Sequence, residues 1–127
     1  MQAQAARTQS GAIKAGIILT TLITAAIHVY LVQETIDHGN SPLLFILNVL
    51  GYLGLLAAYL LPQQFVSRFL PAGLARNFRS IVRYVFIGYT LVTILAWVVI
   101  GERTTLGYVD KLAEVILIVL LWLDRKA

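Results

Sequence analysis

Four long apolar runs, separated by short polar breaks, constrain this chain more than any other feature of its sequence. A helix that crosses a membrane needs about 20 mostly apolar residues, because a rise of about 1.5 Å per residue must cover about 30 Å of hydrocarbon. The runs predict spans at residues 13–32, 43–61, 81–100 and 106–123. Backbone groups in lipid must pair within their own segment, so the runs are predicted to be helices. The expected fold is all-α, an integral membrane antiparallel four-helix bundle.

The composition supports a membrane protein. Of the 127 residues, 59% are hydrophobic and 13% are charged, whereas a soluble domain carries about a quarter charged residues. The length predicts a single transmembrane domain over residues 1–127. The absence of cysteine excludes disulfides, thiolate metal sites and cysteine redox chemistry. The net charge of +4 comes from residues that flank the spans, so nucleic acid is not an expected partner.

The basic residues predict the orientation of the spans, because Lys and Arg concentrate in cytoplasmic loops. Eight of the ten fall on one side of the predicted bundle: Arg7, Lys14, Arg68, Arg76, Arg79, Arg83, Arg125 and Lys126. Only Arg103 and Lys111 fall on the other side. The sequence therefore predicts a multi-pass protein of the cell inner (plasma) membrane with both termini in the cytoplasm.

Residues 62–80 form the longest connection, which the charge pattern assigns to the cytoplasm. Apolar and basic residues recur there at helical spacing, as in Phe65, Arg68 and Phe69, and residues 71–73 break the pattern. An amphipathic segment of this kind lies in the headgroup layer, where arginine attracts anionic lipid. The predicted headgroup contacts are Arg68, Arg76, Arg79 and Arg83. A docking surface for a partner is the alternative.

Several polar residues enter the predicted spans from the side opposite the eight basic residues and are the candidate ligand or proton site. They are His28, Asn48, Trp97, Lys111 and Glu114, all at similar depth in an antiparallel bundle. Thr20 and Thr24 precede His28 at spacings of four and form a polar stripe with it. Ionisable residues inside a membrane are costly and usually face the bundle interior, which makes them functional candidates.

A purely structural interpretation of the same residues stands beside the functional one. Lys111 and Glu114 could neutralise each other, or Lys111 could extend to the interface. His28 could be a neutral core histidine bonded to Glu114, Asn48 or a tyrosine, because buried polar groups are normally satisfied locally. A packing network is therefore the first interpretation of this group, and a ligand or proton site is the second.

The loop after the first span contains Glu34, Asp37 and His38 at helical spacing. These side chains could bind a divalent ion. A helix end terminated at Gly39-Asn40 explains the pattern better, because glycine is the preferred residue just beyond a helix C-terminus. No metal site is predicted.

Known four-span classes match the sequence poorly. Small multidrug transporters carry a glutamate in their first span, where this chain has His28. Di-haem cytochromes need paired histidines, and one intramembrane histidine cannot ligate haem on both axial sides. A haem or pigment with a single ligand, or a haem shared between subunits, stays open, so the cofactor is unknown.

The sequence resembles uncharacterised small four-span membrane proteins of bacteria and archaea. The resemblance covers most of the chain and rests on the segments Ile27-His28-Val29-Tyr30-Leu31, Leu47-Asn48-Val49-Leu50-Gly51-Tyr52-Leu53, Gly88-Tyr89-Thr90 with Trp97, and Gly107-Tyr108-Val109-Asp110-Lys111 with Glu114. It implies a four-helix membrane fold and no established activity.

Two functional hypotheses follow. The first is a non-catalytic accessory or assembly subunit of a membrane complex, whose partners are lipids and other membrane subunits or a second copy. Its polar cluster would bind a lipid-like ligand such as a quinone or pigment. The alternative is a small proton-coupled transporter or channel, with His28 and Glu114 as protonatable pair, Lys111 as counter-charge and Thr20 and Thr24 along the path. No catalytic residue is predicted, because no nucleophile with its base and no metal signature is visible.

Overall fold

The computed structural model describes the backbone of residues 2–125 and the side chains of residues 11–125. The side chains of Arg7 and Lys126, which belong to the predicted basic side, lie outside the described residues. The described chain is all-α and contains no strand. Its helices are α1 (Gln2–Asp37), α2 (Leu43–Leu60), α3 (Gln63–Phe69), α4 (Ala72–Ile100) and α5 (Thr105–Asp124).

Three helices are long and apolar enough to cross a membrane, which indicates a membrane protein. These segments are Gly11–Asp37, Leu43–Leu60 and Ala72–Ile100, and they contain the first three predicted spans almost entirely. The fourth predicted span coincides with α5, which is equally helical. Length and composition alone do not mark α5 as a span, because three charged residues lie in its first half.

Local sequence signals define the helix ends. Each of the three prolines, Pro42, Pro62 and Pro71, directly precedes a helix, where its missing N–H leaves no unpaired donor. The Thr104 hydroxyl caps α5 by accepting a hydrogen bond from Gly107 N at 3.0 Å.

The C-terminal end of α1 is a glycine-terminated cap, as the sequence predicts. Gly39 has a φ of 76°, a conformation that glycine adopts without steric cost. The amides of Gly39 and Asn40 donate to the carbonyls of Ile36 and Thr35, both at 2.9 Å, which is the Schellman pattern. Residues 34–38 thus belong to the end of a helix and its cap.

The connection at residues 62–80 is mostly helical, and its break differs from the predicted one. The backbone is extended at Leu70 and Pro71, and α4 already begins at Ala72. Proline excludes the preceding residue from helical geometry, so the break lies one residue before the predicted one. The basic second half of the connection is therefore the start of α4, and only α3 is a separate short helix. It packs on α4.

The four long helices pack in a closed order. Helix α1 contacts α2 and α5, and α4 contacts the same two helices. Helices α2 and α5 are therefore diagonal to each other. Between them lies a core of completely buried side chains from all four helices: Ile17, Tyr52, Phe86, Leu117 and Leu121. Side chains that reach from α2 to α5 must cross this core.

Candidate functional site

The first half of α5 places its charged residues inside the molecule. Together with facing residues of α1 and α2 they form what we call the charged cluster, which consists of Thr24, His28, Tyr52, Asp110, Lys111 and Glu114. None of these residues is more than 9% exposed. Lys111, Glu114 and His28 are thus brought together, as the sequence predicts for residues of similar depth.

Lys111 is the centre of the cluster. Its ammonium lies 3.1 Å from Asp110 Oδ2 and donates a hydrogen bond to Glu114 Oε1. One buried cation therefore pairs with two carboxylates. This pairing offsets part of the free energy that burying the charges costs. The expectation that Lys111 and Glu114 neutralise each other agrees with this geometry, and the alternative that Lys111 extends to the interface does not.

Each carboxylate accepts a second donor from another helix. The Tyr52 hydroxyl of α2 donates to Glu114 Oε2, and the Thr24 hydroxyl of α1 donates to Asp110 Oδ1. All four carboxylate oxygens of the cluster therefore have a partner. Tyr52 reaches its partner across the diagonal of the four helices, so the cluster connects α1, α2 and α5.

His28 contacts different groups from those expected. Its Nδ1 lies 2.7 Å from the backbone carbonyl of Thr24, and its Nε2 lies 3.7 Å from Asp110 Oδ2. The imidazole ring packs at 6.0 Å from Phe45 and 6.3 Å from Tyr52. The interpretation of a histidine bonded to Glu114, Asn48 or a tyrosine is wrong, because the α5 residue that faces the ring is Asp110.

Asn48 and Trp97 lie outside the charged cluster. Asn48 Nδ2 donates to the Thr93 hydroxyl at 3.3 Å, and its buried Oδ1 has no hydrogen-bond partner among the described residues. Trp97 Nε1 donates to the carbonyl of Glu102 at 3.0 Å. The indole lies under the Arg103 guanidinium, 4.2 Å from the ring centre, while the Lys111 ammonium is 6.0 Å away. Trp97 therefore closes the α4–α5 turn beside the cluster.

The predicted threonine stripe is divided between two roles. The Thr20 hydroxyl donates to the backbone carbonyl of Gly16 at 2.8 Å within its own helix. Only Thr24 joins the cluster. The hydroxyl of Thr21, which is completely buried, donates in the same way to Ile17 at 2.7 Å. Threonine bonds of this kind satisfy the side chain inside an apolar helix.

A third buried carboxylate lies near the opposite end of the helices. Asp124 accepts a hydrogen bond from the Tyr59 hydroxyl and is 2% exposed. The Arg83 guanidinium lies near the same tyrosine. Asp124 Oδ1 and Arg83 Nε are both buried without a hydrogen-bond partner in the described chain. Arg83 thus lies partly within the helices rather than wholly at a surface.

The other predicted headgroup arginines differ in exposure. Arg68 and Arg76 are exposed. Arg79 is half-buried, and its Nη2 donates to the carbonyl of Leu61 at 3.4 Å. The exposed Phe65 and Phe69 lie on the same short helix as Arg68, and the amphipathic character of the connection stays a prediction.

The loop after α1 carries only exposed polar contacts. The backbone carbonyl of Glu34 accepts a hydrogen bond from His38 Nδ1 at 2.8 Å. This bond and the Glu34 carboxylate, 3.9 Å away, raise the pKa of the His38 imidazole. Among the residues that the structure describes, no group of three or more potential ligands could hold a metal ion.

An open apolar depression of about 400 Å³ lies between α1 and α5. It is lined by Ala26, Ile27, Tyr30 and Leu106. His28 follows Ile27 in sequence but points into the cluster, so the depression and the cluster occupy different faces of α1.

Comparison with known proteins identifies a family without assigning an activity. The family described as "Family of unknown function (DUF7475)" matches residues 1–123. The chain belongs to this family. No curated protein and no solved structure matches it. The resemblance to uncharacterised proteins is therefore confirmed.

Sequence reasoning missed Asp110 and Tyr52 as cluster members of this DUF7475 chain. The spacing of Asp110 and Glu114, four residues apart, already places them on one helix face. Tyr52 and Tyr59 are seven residues apart and share a face of α2. Neither spacing says which helix lies opposite, and that pairing depends on the packing of α2 diagonal to α5.

The Lys111→Met substitution tests the centre of the charged cluster. Two buried carboxylates would lose the ammonium group that contacts both of them, and breaking such a pair costs about 3–5 kcal/mol. We expect a loss of unfolding free energy of that order, measured by denaturant unfolding in detergent. Adding Asp110→Asn should restore part of it.

The matched control is Arg76→Met, which removes an exposed cation from the start of α4. An exposed charge contributes about 1 kcal/mol or less, so this variant should stay close to the unaltered protein. Equal losses in Lys111→Met and Arg76→Met would contradict the assigned role of Lys111.

Proposed function

We propose that this protein is a small multi-pass subunit of the inner membrane, without catalytic activity, that accompanies or assembles a larger membrane complex. In this proposal all four long helices cross the bilayer as an antiparallel bundle. The observation that carries it is the distribution of charge on α5. The charged residues Asp110, Lys111, Glu114 and Asp124 are all buried.

The outward face of α5 is apolar along its length. Its exposed side chains between Tyr108 and Leu123 include Leu112, Val115, Ile116, Val119 and Trp122. A helix in water turns its charges outward and its apolar face inward. The reverse arrangement is favourable in lipid, where charged groups face the bundle interior and pair. The 20 residues of α5 give a length of about 30 Å, which matches the hydrocarbon core.

The charged cluster has a clear structural role in this proposal. Apolar helices in lipid have little hydrophobic reason to associate, so packing and interhelical hydrogen bonds set their arrangement. The bonds of Tyr52 to Glu114 and Thr24 to Asp110 join α5 to the diagonal helix α2 and to its neighbour α1. A shift of α5 by one turn would carry Lys111 along with both carboxylates but would separate them from the Tyr52 and Thr24 hydroxyls, so the cluster favours one helix register.

The outer surface supports association within the membrane. Exposed apolar residues also cover α2 and α4, such as Leu44, Leu47, Val92 and Val99. Such faces suit lipid chains, neighbouring subunits or a second copy. The depression beside Ile27 supports binding of a lipid-like molecule, such as a quinone or pigment.

The proposed orientation in the membrane follows from the basic residues at the end of the helices where Pro62 lies. Arg68 and Arg76 are exposed on α3 and at the start of α4, where they would contact anionic headgroups. The positive-inside rule then places this end, and with it both termini, in the cytoplasm.

Labelling of introduced cysteines tests the topology, because the natural chain contains no cysteine and gives no background. If α5 crosses the membrane, Thr104→Cys should react with an impermeant maleimide from outside intact cells. Arg125→Cys should react only after permeabilisation. Asn40→Cys in the α1–α2 loop serves as the outside reference, and Gln64→Cys in α3 serves as the inside reference. Labelling of positions 104 and 125 from one side would contradict a crossing α5.

Purification from native membranes in lipid nanodiscs tests the accessory role. We expect the chain to be recovered in a complex of fixed stoichiometry with another membrane subunit, seen by native mass spectrometry. A chain that is always recovered alone, without partner or ligand, would overturn the proposal.

A proton-coupled transporter or channel is the second candidate. It is favoured by a buried group that contains an imidazole, an ammonium and two carboxylates. In the structure His28 and Glu114 are linked through Asp110 and Lys111 rather than in direct contact. The completely buried Ile17, Phe86 and Leu117 form an apolar layer beside the cluster, which disfavours a continuous polar path.

Flux measurement in liposomes tests this candidate. If the protein carries protons, His28→Ala and Glu114→Gln should each abolish pH-driven flux, because both remove a protonatable group from the cluster. His38→Ala, which alters the exposed histidine, is the matched control and should retain flux. Unchanged flux in the His28 and Glu114 variants would reject these roles.

A further inference from the structure

The charges of the cluster do not balance without an added proton. In their ionised forms Lys111 carries one positive charge, whereas Asp110 and Glu114 together carry two negative charges. All three side chains are nearly or completely buried. An uncompensated charge in such a place is costly, so one additional proton would bring the cluster to neutrality.

The hydrogen bonds show which atoms are already occupied by donors. Glu114 accepts from Lys111 and Tyr52, and Asp110 accepts from Thr24 and has the Lys111 ammonium at 3.1 Å. All four carboxylate oxygens thus already have a donor or an ammonium group beside them. The remaining titratable group of the cluster is His28.

The geometry of His28 leaves one nitrogen for this role. A carbonyl oxygen can only accept, so the contact of 2.7 Å between Nδ1 and the Thr24 carbonyl requires a hydrogen on Nδ1. Nε2 then faces Asp110 Oδ2 at 3.7 Å. In the neutral ring its lone pair would point at a carboxylate, whereas an added proton there would form an ion pair.

No other titratable group in the described chain competes for this position. From α2 the only such group facing His28 is Tyr52, whose hydroxyl is bonded to Glu114. From α4, Tyr89 packs on Tyr52 and donates to the Asn48 carbonyl at 3.1 Å. From α5 the titratable groups of the cluster are Asp110, Lys111 and Glu114.

We propose that the charged cluster is a binding site for one exchangeable proton, carried on Nε2 of His28 and paired with Asp110. The proton comes from water and converts the Nε2 lone pair into an N–H bond, so no oxidant or reductant is involved. This site goes beyond the accessory role and is independent of any partner subunit. It would be a binding step in transport but does not itself require flux.

Nitrogen NMR of the full chain in lipid nanodiscs tests the site directly, with ¹⁵N in the histidine rings. The chain has two histidines, and His38→Gln assigns the two sets of signals without touching the cluster. We expect His28 to show hydrogen on both ring nitrogens at the acid end of the pH range in which His38 titrates and to lose the Nε2 hydrogen as the pH is raised. The exposed His38 reports the pH reached at the protein.

Two substitutions should move this titration in opposite directions, a result that a merely structural role does not produce. Asp110→Asn removes the paired negative charge, so His28 should lose its proton at a pH lower by about one unit or more. Lys111→Gln removes the positive charge, so His28 should keep its proton to a higher pH by a similar amount.

Three results would overturn the proposal. The first is a His28 ring that stays neutral throughout the pH range in which His38 titrates. The second is an infrared band of a protonated carboxyl group that disappears in Asp110→Asn or Glu114→Gln, since the proton would then lie on a carboxyl. The third is a His28 titration unchanged in both charge variants. The first result is measured on the unaltered cluster, so it remains decisive if a cluster variant fails to fold.

Discussion

The structure depends on the pairing of one ammonium group with two carboxylates inside an otherwise apolar set of helices. Burying charges is costly unless partners compensate for it. The contacts of Lys111 with Asp110 and Glu114 therefore allow α5 to turn its polar face inward. The remaining oxygens accept donors from Thr24 and Tyr52, so the same pairing also positions α1 and α2.

Charged side chains thus lie between the helices and apolar side chains cover their outer surfaces. This is the reverse of the arrangement in a water-soluble protein. The charged cluster and Asp124 are buried, while leucine and valine side chains cover the exposed surfaces. Tyr52 and Tyr59 both reach a carboxylate on the diagonal helix α5. Two tyrosine–carboxylate bonds separated by a layer of aliphatic and aromatic side chains thus join the diagonal pair. The membership of the chain in a family of unknown function leaves this buried network as the main guide to its role.

Much of the helical architecture was predictable because local rules govern it. Apolar runs located the long helices, the three prolines mark helix starts, and Gly39 ends α1. The break in the connection fell one residue before the predicted one, because proline acts on the residue that precedes it. The amphipathic pattern around Arg68 corresponds to α3, but the basic residues after Pro71 belong to α4.

By itself the sequence determined the all-α class, the long apolar helices and the approximate level of His28, Lys111 and Glu114 along them, since each depends on residues close together along the chain. Only the tertiary structure decided that His28 faces Asp110, that Tyr52 reaches Glu114, and that Asn48 and Trp97 lie outside the cluster. Helical periodicity defines the face on which a side chain lies. It does not define which helix packs against that face, because that depends on contacts between segments distant in sequence.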